Sequence, residues 1–460
     1  VSTPALAAAL LPQRMLAAET DASAAGGPAA GARIYNVRDF GARGDGATVD
    51  TPALQAAIDA CAADGGGTVL VPAGTFVIGT TQLKSNITLH LAASAALLGS
   101  GDGKQYHAVG AIPLRGDSTL GDGNWALLYA VEAKNVTIEG PGTIDGQGHL
   151  FNNYGKNGAP PPSGIGGAQR PYHLLFYRCE NLVVRDLRLV RCAFHSIRVI
   201  QSQQVRLEGL YIHNRVNVNN DGFHFISAQH VAISNCTVLC QDDACALFGS
   251  CQFVTVTNCV FSTRWSVFRF GGGVVRNIAV SNCLIYETYG CPVKIGAGGM
   301  QLENLSFSNI IMQNVTGPIG INFSSRGRGE TGGAAVAAAS YVRNISFSNI
   351  RATTVPAPVD SYGGDMATIG RIYDGEQHSC ITLNGIGDAF IENVTFDDVH
   401  VTSAGGGSAE LAAKRKIPAT TREYFGVWGE APLGPPAYGL FARNVRGLAL
   451  HNVRFEVARS

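Results

Sequence analysis

The sequence predicts an all-β protein: a single-stranded, right-handed parallel β-helix with a short capping helix near its N-terminus. Three observations predict this fold. A segment of about 23 to 27 residues repeats along much of the chain. Within each repeat, apolar residues alternate with polar ones over four positions, the pattern of a half-buried strand. An Asn, Gly or Asp then follows, and these residues tolerate the left-handed backbone of a sharp corner.

The repeat is clearest in the centre of the chain, where the corner residue is asparagine in successive units. The strand and its corner recur at residues 231–235, 254–258, 278–282, 305–309 and 345–349. We expect these asparagines to stack and to hydrogen-bond amide to amide along the solenoid. A leucine-rich repeat has a similar period, but its Leu-x-x-Leu-x-Leu frame is missing here.

We predict one domain over residues 33–460, because a solenoid lengthens without needing a second core. Residues 1–32 are Ala-rich and are interpreted as either a disordered leader or the remnant of an export signal. The predicted capping helix begins with Thr51 as N-cap and Pro52 as its first residue. Loop insertions are predicted near residues 326–340 and 403–438, where the repeat interval lengthens.

Charge and cysteine content limit the possible partners. The formal net charge is zero, so nothing favours nucleic acid or an anionic membrane, and no apolar run has the length of a membrane span. The 11 cysteines match no strong zinc pattern, and no metal or cofactor is predicted. Cys236, Cys259 and Cys283 each follow a corner asparagine, which predicts an apolar ladder in the core. Four others are candidates for disulfides: Cys240, Cys245, Cys251 and Cys291.

Two acidic clusters stand about one repeat apart. Asp221 ends the first cluster, and Asp242 and Asp243 form the second. Residues one period apart in a solenoid lie about 5 Å apart, so the three carboxylates are expected to meet on neighbouring turns. One further interval adds Arg264 and Trp265, and another adds Lys294. Nearby aromatic candidates are Phe223, Trp265, Phe268, Tyr286 and Tyr289.

Such a cluster suits glycoside hydrolysis. A protonated acid donates to the leaving oxygen, while an ionised carboxylate activates water on the opposite face of the sugar. Crowding of like charges keeps one carboxyl protonated. A single aspartate at such a place is as easily a corner residue, as predicted for Asp186 and Asp398. Three at the matching period favour chemistry.

These motifs resemble those of glycoside hydrolase family 28, the polygalacturonase-like pectin hydrolases. Residues 219–222 resemble the family's Asn-x-Asp motif, and residues 241–243 its Gln/Gly-Asp-Asp motif. Residues 39–46 and 142–148 resemble glycine-containing motifs of pectin-degrading β-helices. The resemblance implies that Asp242 is the general acid. It also implies that Asp221 and Asp243 position and activate water, with inversion at the anomeric carbon.

The chain departs from the family in two motifs. Lys294 stands where the lysine of Arg-x-Lys belongs, but Pro292 replaces the arginine, and the Gly-His-Gly motif is replaced by residues 262–266, which contain no histidine. Arg264 or Arg269 is expected to supply the missing cation. This predicts rhamnogalacturonan or a substituted or terminal pectic sugar as substrate, rather than plain polygalacturonan. His195 and His224 are further candidates for sugar contacts, as are Arg191 and Arg198.

Two alternatives stay open at this stage. A polysaccharide lyase on the same fold would use Lys294 or Arg264 near a uronate, and a non-catalytic β-helix would only bind carbohydrate. A pectin-degrading activity predicts a secreted or periplasmic protein. The sequence predicts no particular oligomeric state.

Overall fold

The structure is a computed structural model. It describes residues 33–110, 112, 124–152, 159–323, 340–357, 359, 381–385, 389–405, 408–413 and 439–458. The predicted leader at 1–32 lies outside these residues, as do most of the two predicted insertions at 326–340 and 403–438. Among the described residues, no helix is long and apolar enough to cross a membrane.

Strands dominate the described chain, and there are two α-helices, α1 (Thr51–Ala63) and α2 (Ala409–Ala413). The strands are β1 (Ile34–Asn36), β2 (Asp45–Val49), β3 (Gly67–Val71), β4 (Gly74–Ile78), β5 (Thr81–Gln82), β6 (Ile87–Leu91), β7 (Ala95–Gly99), β8 (Ala126–Val131), β9 (Lys134–Glu139), β10 (Thr143–Asp145), β11 (Tyr172–Tyr177), β12 (Glu180–Arg185), β13 (Arg188–Val190), β14 (Ile197–Ile200), β15 (Gln203–Glu208), β16 (Tyr211–Asn214), β17 (Phe223–Ile226), β18 (Gln229–Ser234), β19 (Thr237–Cys240), β20 (Cys245–Phe248), β21 (Gln252–Thr257), β22 (Val260–Thr263), β23 (Phe268–Tyr286), β24 (Val293–Val315), β25 (Ile319–Asn322), β26 (Tyr341–Thr354), β27 (Ile381–Asn384), β28 (Ile391–Ser403), β29 (Leu440–Arg443), β30 (Val445–His451) and β31 (Arg454–Val457). Short 3-10 helices span Val37–Phe40, Gly103–Gln105, Gly148–Phe151 and Gly167–Gln169.

The strands form three parallel faces, because each strand pairs with the equivalent strand one turn later. Face A contains β12, β15, β18 and β21. Face B contains β13, β16, β19 and β22. Face C contains β11, β14, β17 and β20, followed by the first residues of β23 and β24. Each turn runs through faces C, A and B in that order. This is the predicted β-helix.

The interior of the solenoid holds one continuous apolar core. Alternate residues of every face point inward, so Phe307, Phe347 and Phe396 stack in successive turns with ring centroids 5.1 Å apart at each step. Cys236, Cys259 and Cys283 are buried in the same core, as predicted. The suggested disulfides are wrong: Cys240, Cys245, Cys251 and Cys291 form no disulfide with one another and are buried among the packed strands.

Helix α1 begins at Thr51, one residue earlier than predicted, and has a different N-cap. The N-cap is Asp50, whose carboxylate accepts hydrogen bonds from the backbone N–H groups of Arg43 and Gly44 rather than from the helix. Thr51 instead accepts a bond from the backbone N–H of Gly79. Pro52 stands in the first turn, where its missing N–H costs nothing. The capping function of α1 stays a prediction.

Left-handed asparagines mark the corners between faces A and B. Asn235, Asn258, Asn282, Asn309 and Asn349 all have φ between 50° and 57°. The amide of Asn309 donates to Asn282 at 3.1 Å and accepts from Asn349 at 2.8 Å, as the predicted ladder requires. A second ladder, not predicted, links Asn277, Asn304, Asn344 and Asn393.

We expect Asn309→Ala to lower the free energy of unfolding by about 1–2 kcal/mol, because alanine is strained in a left-handed conformation. Asn309→Gly removes the amide as well but adopts this backbone freely, so it should lose less. Calorimetric unfolding of both variants measures the difference. An equal loss in the two variants would contradict backbone strain as the cause.

Candidate functional site

The three predicted aspartates lie together at the edge where face B turns into face C. Asp221 stands two residues before β17, and Asp242 and Asp243 stand just before β20. The two turns are held in register by the backbone N–H of Gly222, which donates to the carbonyl of Asp243 at 3.0 Å. The predicted spacing therefore brings the acidic clusters onto adjacent turns.

Asp242 sits where ionisation is unfavourable. Burial is the main cause that raises the pKa of its carboxyl well above the usual range, and the charges of Asp221 and Asp243 raise it further. Two N–H donors oppose this: the backbone of Asp243 donates to Oδ1 at 2.9 Å, and Asn219 Nδ2 donates to Oδ2 at 3.3 Å. The raised pKa means that Asp242 holds its proton at a pH where ordinary aspartates have lost theirs.

Asp221 is buried and carries two histidine neighbours. Its Oδ2 lies 2.7 Å from Nδ1 of His224, and its Oδ1 lies 3.6 Å from Nε2 of His195. Its main-chain carbonyl accepts from the backbone N–H of Ser196 and from the amide of Asn214. The Asp221 carboxylate is therefore fixed in position from both sides.

The two histidines stack on each other, with ring centroids 4.3 Å apart and planes 13° apart. Burial is the main cause that lowers the pKa of His195 well below 6.5, and the charges of His224 and two arginines add to it. Donor atoms of His195, Asp221 and His224 lie within 4.8 Å of one another, close enough to consider a metal. Nearly parallel stacked rings direct their in-plane lone pairs along separate planes. The stacked rings therefore fit a hydrogen bond from His224 to Asp221, with His195 packed beside it, better than a shared ion.

A row of polar side chains follows the outer side of face C beside the aspartates. Parallel register aligns Arg198, His224, Arg269 and Lys294 within five successive turns, and the apolar Ala246 stands between His224 and Arg269. Neighbouring strands are about 4.8 Å apart, so Arg269 stands directly beside Lys294. Both side chains are almost fully buried although they occupy outward positions on face C.

Comparison with known proteins identifies the family. The sequence model of Glycosyl hydrolases family 28 matches residues 61–362, well over half of the chain. The chain belongs to glycoside hydrolase family 28. An exopolygalacturonase of Platanus acerifolia is 27% identical over 334 residues, which cover 70% of this chain and 83% of the relative. An exo-poly-α-D-galacturonosidase of Dickeya chrysanthemi is 27% identical, with 62% and 56% covered.

Solved structures of family 28 share the fold. The exopolygalacturonase of Thermotoga maritima superposes with a TM-score of 0.65 at 18% identity, covering 92% of each chain. The polygalacturonase of Erwinia carotovora gives 0.57 at 18% identity, covering 84% of this chain and 96% of that one. These matches confirm the right-handed parallel β-helix.

The structure separates the family's predicted sugar-binding cations. Arg269 shares the outer row of face C with Lys294, whereas Arg264 lies on the preceding edge loop with its guanidinium 5.6 Å from the ring centre of Tyr289. Trp265 is half-exposed, and its ring centre lies 6.0 Å from Nζ of Lys294. Counting one repeat onward from Asp243 leads to this loop. The count therefore points to Arg264 but not to Arg269, the strand residue that stands beside Lys294.

Other predicted neighbours lie elsewhere. Phe223 and Phe268 point into the core and are fully buried, because they occupy inward positions of face C. Tyr289 is buried, and its hydroxyl bonds the backbone of Val359. Arg191 forms an ion pair with Asp145. The position of a residue along the repeat predicts which turn of the solenoid contains it. A shift of one residue along a strand, however, moves a side chain from the outer surface into the core or the reverse.

A second apolar cluster lies on the outer side of face C, from the turns that precede the aspartates to the turns that carry them. Val109 and Ile112, which come from the segment after β7, pack there with outward residues that include Leu175, Ile200 and Ile226. These residues form a cluster separate from the core inside the solenoid. The sequence does not predict this cluster, because Val109 and Ile112 lie outside the repeat.

Proposed function

We propose that this protein is an inverting, exo-acting glycosidase that removes sugars from the end of a galacturonate-containing pectic chain. The raised pKa of Asp242 beside two further carboxylates carries the proposal. Asp242 gives its proton to the glycosidic oxygen as the bond from that oxygen to the anomeric carbon breaks. Water attacks the same carbon from the opposite face, and its proton passes to Asp221 or Asp243.

The Arg269–Lys294 pair supports a uronate beside the scissile bond. A carboxylate is well matched by an arginine fork and a neighbouring ammonium group. Arg269 is proposed to take the place of the arginine that Pro292 replaces, which restores galacturonan as a substrate. Rhamnogalacturonan and substituted chain ends contain the same uronate and are compared with it directly in the test. His195, His224, Arg264 and Trp265 are proposed to line the same sugar site.

Two relatives support exo action, because the Platanus acerifolia protein is named an exopolygalacturonase and the Dickeya chrysanthemi protein an exo-poly-α-D-galacturonosidase. We expect digestion of polygalacturonan to release mono- or disaccharides from the start, with little early loss of viscosity. Mass spectrometry of the products, with viscometry in parallel, measures this. A rapid fall in viscosity with a ladder of long products would show endo action instead.

Product chemistry also separates hydrolysis from elimination. A hydrolase leaves a new reducing end, whereas a lyase product carries a conjugated double bond that absorbs in the ultraviolet. We expect no such absorbance, and no loss of rate after chelation of divalent metals. Because pectic polymers are outside the cell, we further propose that the protein acts as a secreted or periplasmic enzyme.

A further inference from the structure

Arg170 is a buried arginine that joins three successive edge loops of the solenoid. Its Nε donates to the carbonyl of Gly167 at 2.9 Å, and Nη1 donates to the carbonyls of Ala193 at 3.2 Å and Val218 at 2.6 Å. The guanidinium also lies 4.2 Å from the ring centre of Phe194. These contacts fix the guanidinium plane.

Its remaining terminal nitrogen determines the orientation of one amide. Arg170 Nη2 donates to Oδ1 of Asn219 at 3.2 Å, and Nδ2 of the same amide donates to Oδ2 of Asp242 at 3.3 Å. A guanidinium has donors only, so the amide oxygen must face Arg170. The amide N–H must then face the carboxyl of Asp242.

We propose that Arg170 is a positioning residue that acts through Asn219 to aim the proton of Asp242 at the substrate. The two carboxyl oxygens of Asp242 face N–H groups, one from the Asn219 amide and one from the Asp243 backbone. An N–H group cannot accept a proton, so neither group competes for the proton of Asp242. The proton is left for the glycosidic oxygen. With the amide reversed, its oxygen would accept that proton in a hydrogen bond and hold the neutral acid. This inference rests on the proposed role of Asp242 as general acid.

Other groups that face Asp242 act differently on its titration. Asp221 and Asp243 oppose its ionisation as like charges, and the Cys240 thiol donates to its main-chain carbonyl at 3.1 Å. His195 and His224 face Asp221. Asn219 favours the ionised form of Asp242, since its N–H bonds the carboxylate.

The test measures the titration of Asp242 directly, by carbon NMR of protein with labelled aspartate carboxyls. The signal is assigned from its loss in Asp242→Asn. We expect Arg170→Met to raise the pKa of Asp242 by about one pH unit, because the freed amide can turn its oxygen to the acid. The matched control is Arg215→Met, since Arg215 is also buried and bonds the loop carbonyls of Cys240 and Ser262. Arg215→Met should leave the pKa of Asp242 unchanged.

Asn219→Leu supplies a second, independent variant that keeps Arg170. It removes the N–H donor, so it should also raise the pKa of Asp242, and adding Arg170→Met to it should produce no further rise. An unchanged pKa of Asp242 in both Arg170→Met and Asn219→Leu would overturn the inference. So would a double variant in which the two single pKa shifts add. The NMR experiment needs no turnover, so a wild-type protein that fails to hydrolyse pectic substrates would contradict the proposed function alone. With turnover, kcat should fall about tenfold in Arg170→Met while KM changes little.

Discussion

Asp242→Asn is expected to lower kcat on a pectic oligosaccharide by about a hundredfold to ten-thousandfold, the usual contribution of a general acid. The amide keeps the size of the carboxyl but has no acidic proton. A substrate with an activated leaving group, such as a nitrophenyl glycoside, needs no protonation and should lose much less rate. Steady-state kinetics on the two substrates measures the contrast.

The matched control for this substitution is Asp186→Asn. Asp186 is an exposed aspartate at a left-handed corner of the same solenoid, with φ of 62°, and it lies outside the acidic cluster. Its variant should retain wild-type kcat. An equal loss of rate on both substrates in Asp242→Asn would mean that Asp242 does not act as the acid.

Asp242→Asn should raise the stability of the folded protein at neutral pH although it lowers activity. The pKa of Asp242 is raised in the folded protein, so the folded state favours the neutral carboxyl. The resulting stabilisation is fully present below the ordinary aspartate pKa and is lost as pH rises through the folded value. Above that value the ionised side chain opposes folding, and Asn removes the cost. The Tm of Asp242→Asn should therefore exceed that of wild type at neutral pH and converge with it in acid.

The repeat predicts the positions of those residues that recur with its period. Left-handed asparagines such as Asn282 and Asn309 mark each turn, and the turn length then places Asp221 beside Asp243. The inward or outward direction of a side chain depends on register within a strand, which the turn length does not fix. Phe223 therefore lies in the core instead of beside the aspartates as predicted.

The sequence does not predict the positions of residues outside the repeat. Arg170 follows a short 3-10 helix in a long connection, where no periodic pattern relates it to Asn219. Val109 and Ile112 come from a similar segment before β8. Their positions result from packing against distant turns, and no local pattern in the sequence records such contacts.

The pair of cations on face C gives the last prediction. Arg269→Met and Lys294→Met should each lower kcat/KM on a galacturonate oligosaccharide by about ten- to hundredfold, since a hydrogen bond to a charged group contributes about 1.5–3 kcal/mol. On the methyl-esterified substrate, which lacks the negative charge, both losses should be small. The comparison cancels any general damage from removing a buried cation, because such damage lowers the rate on both substrates.

Arg264→Met separates the two candidates for the missing cation. Arg264 is equally buried but packs on Tyr289 in the edge loop, so its removal should affect charged and esterified substrates alike. If Arg264→Met abolishes the preference for the charged substrate and Arg269→Met does not, the cation is Arg264. If neither variant changes the preference, the sugar beside the scissile bond is not bound through its carboxylate. A neutral sugar of rhamnogalacturonan would then be the better substrate at that position.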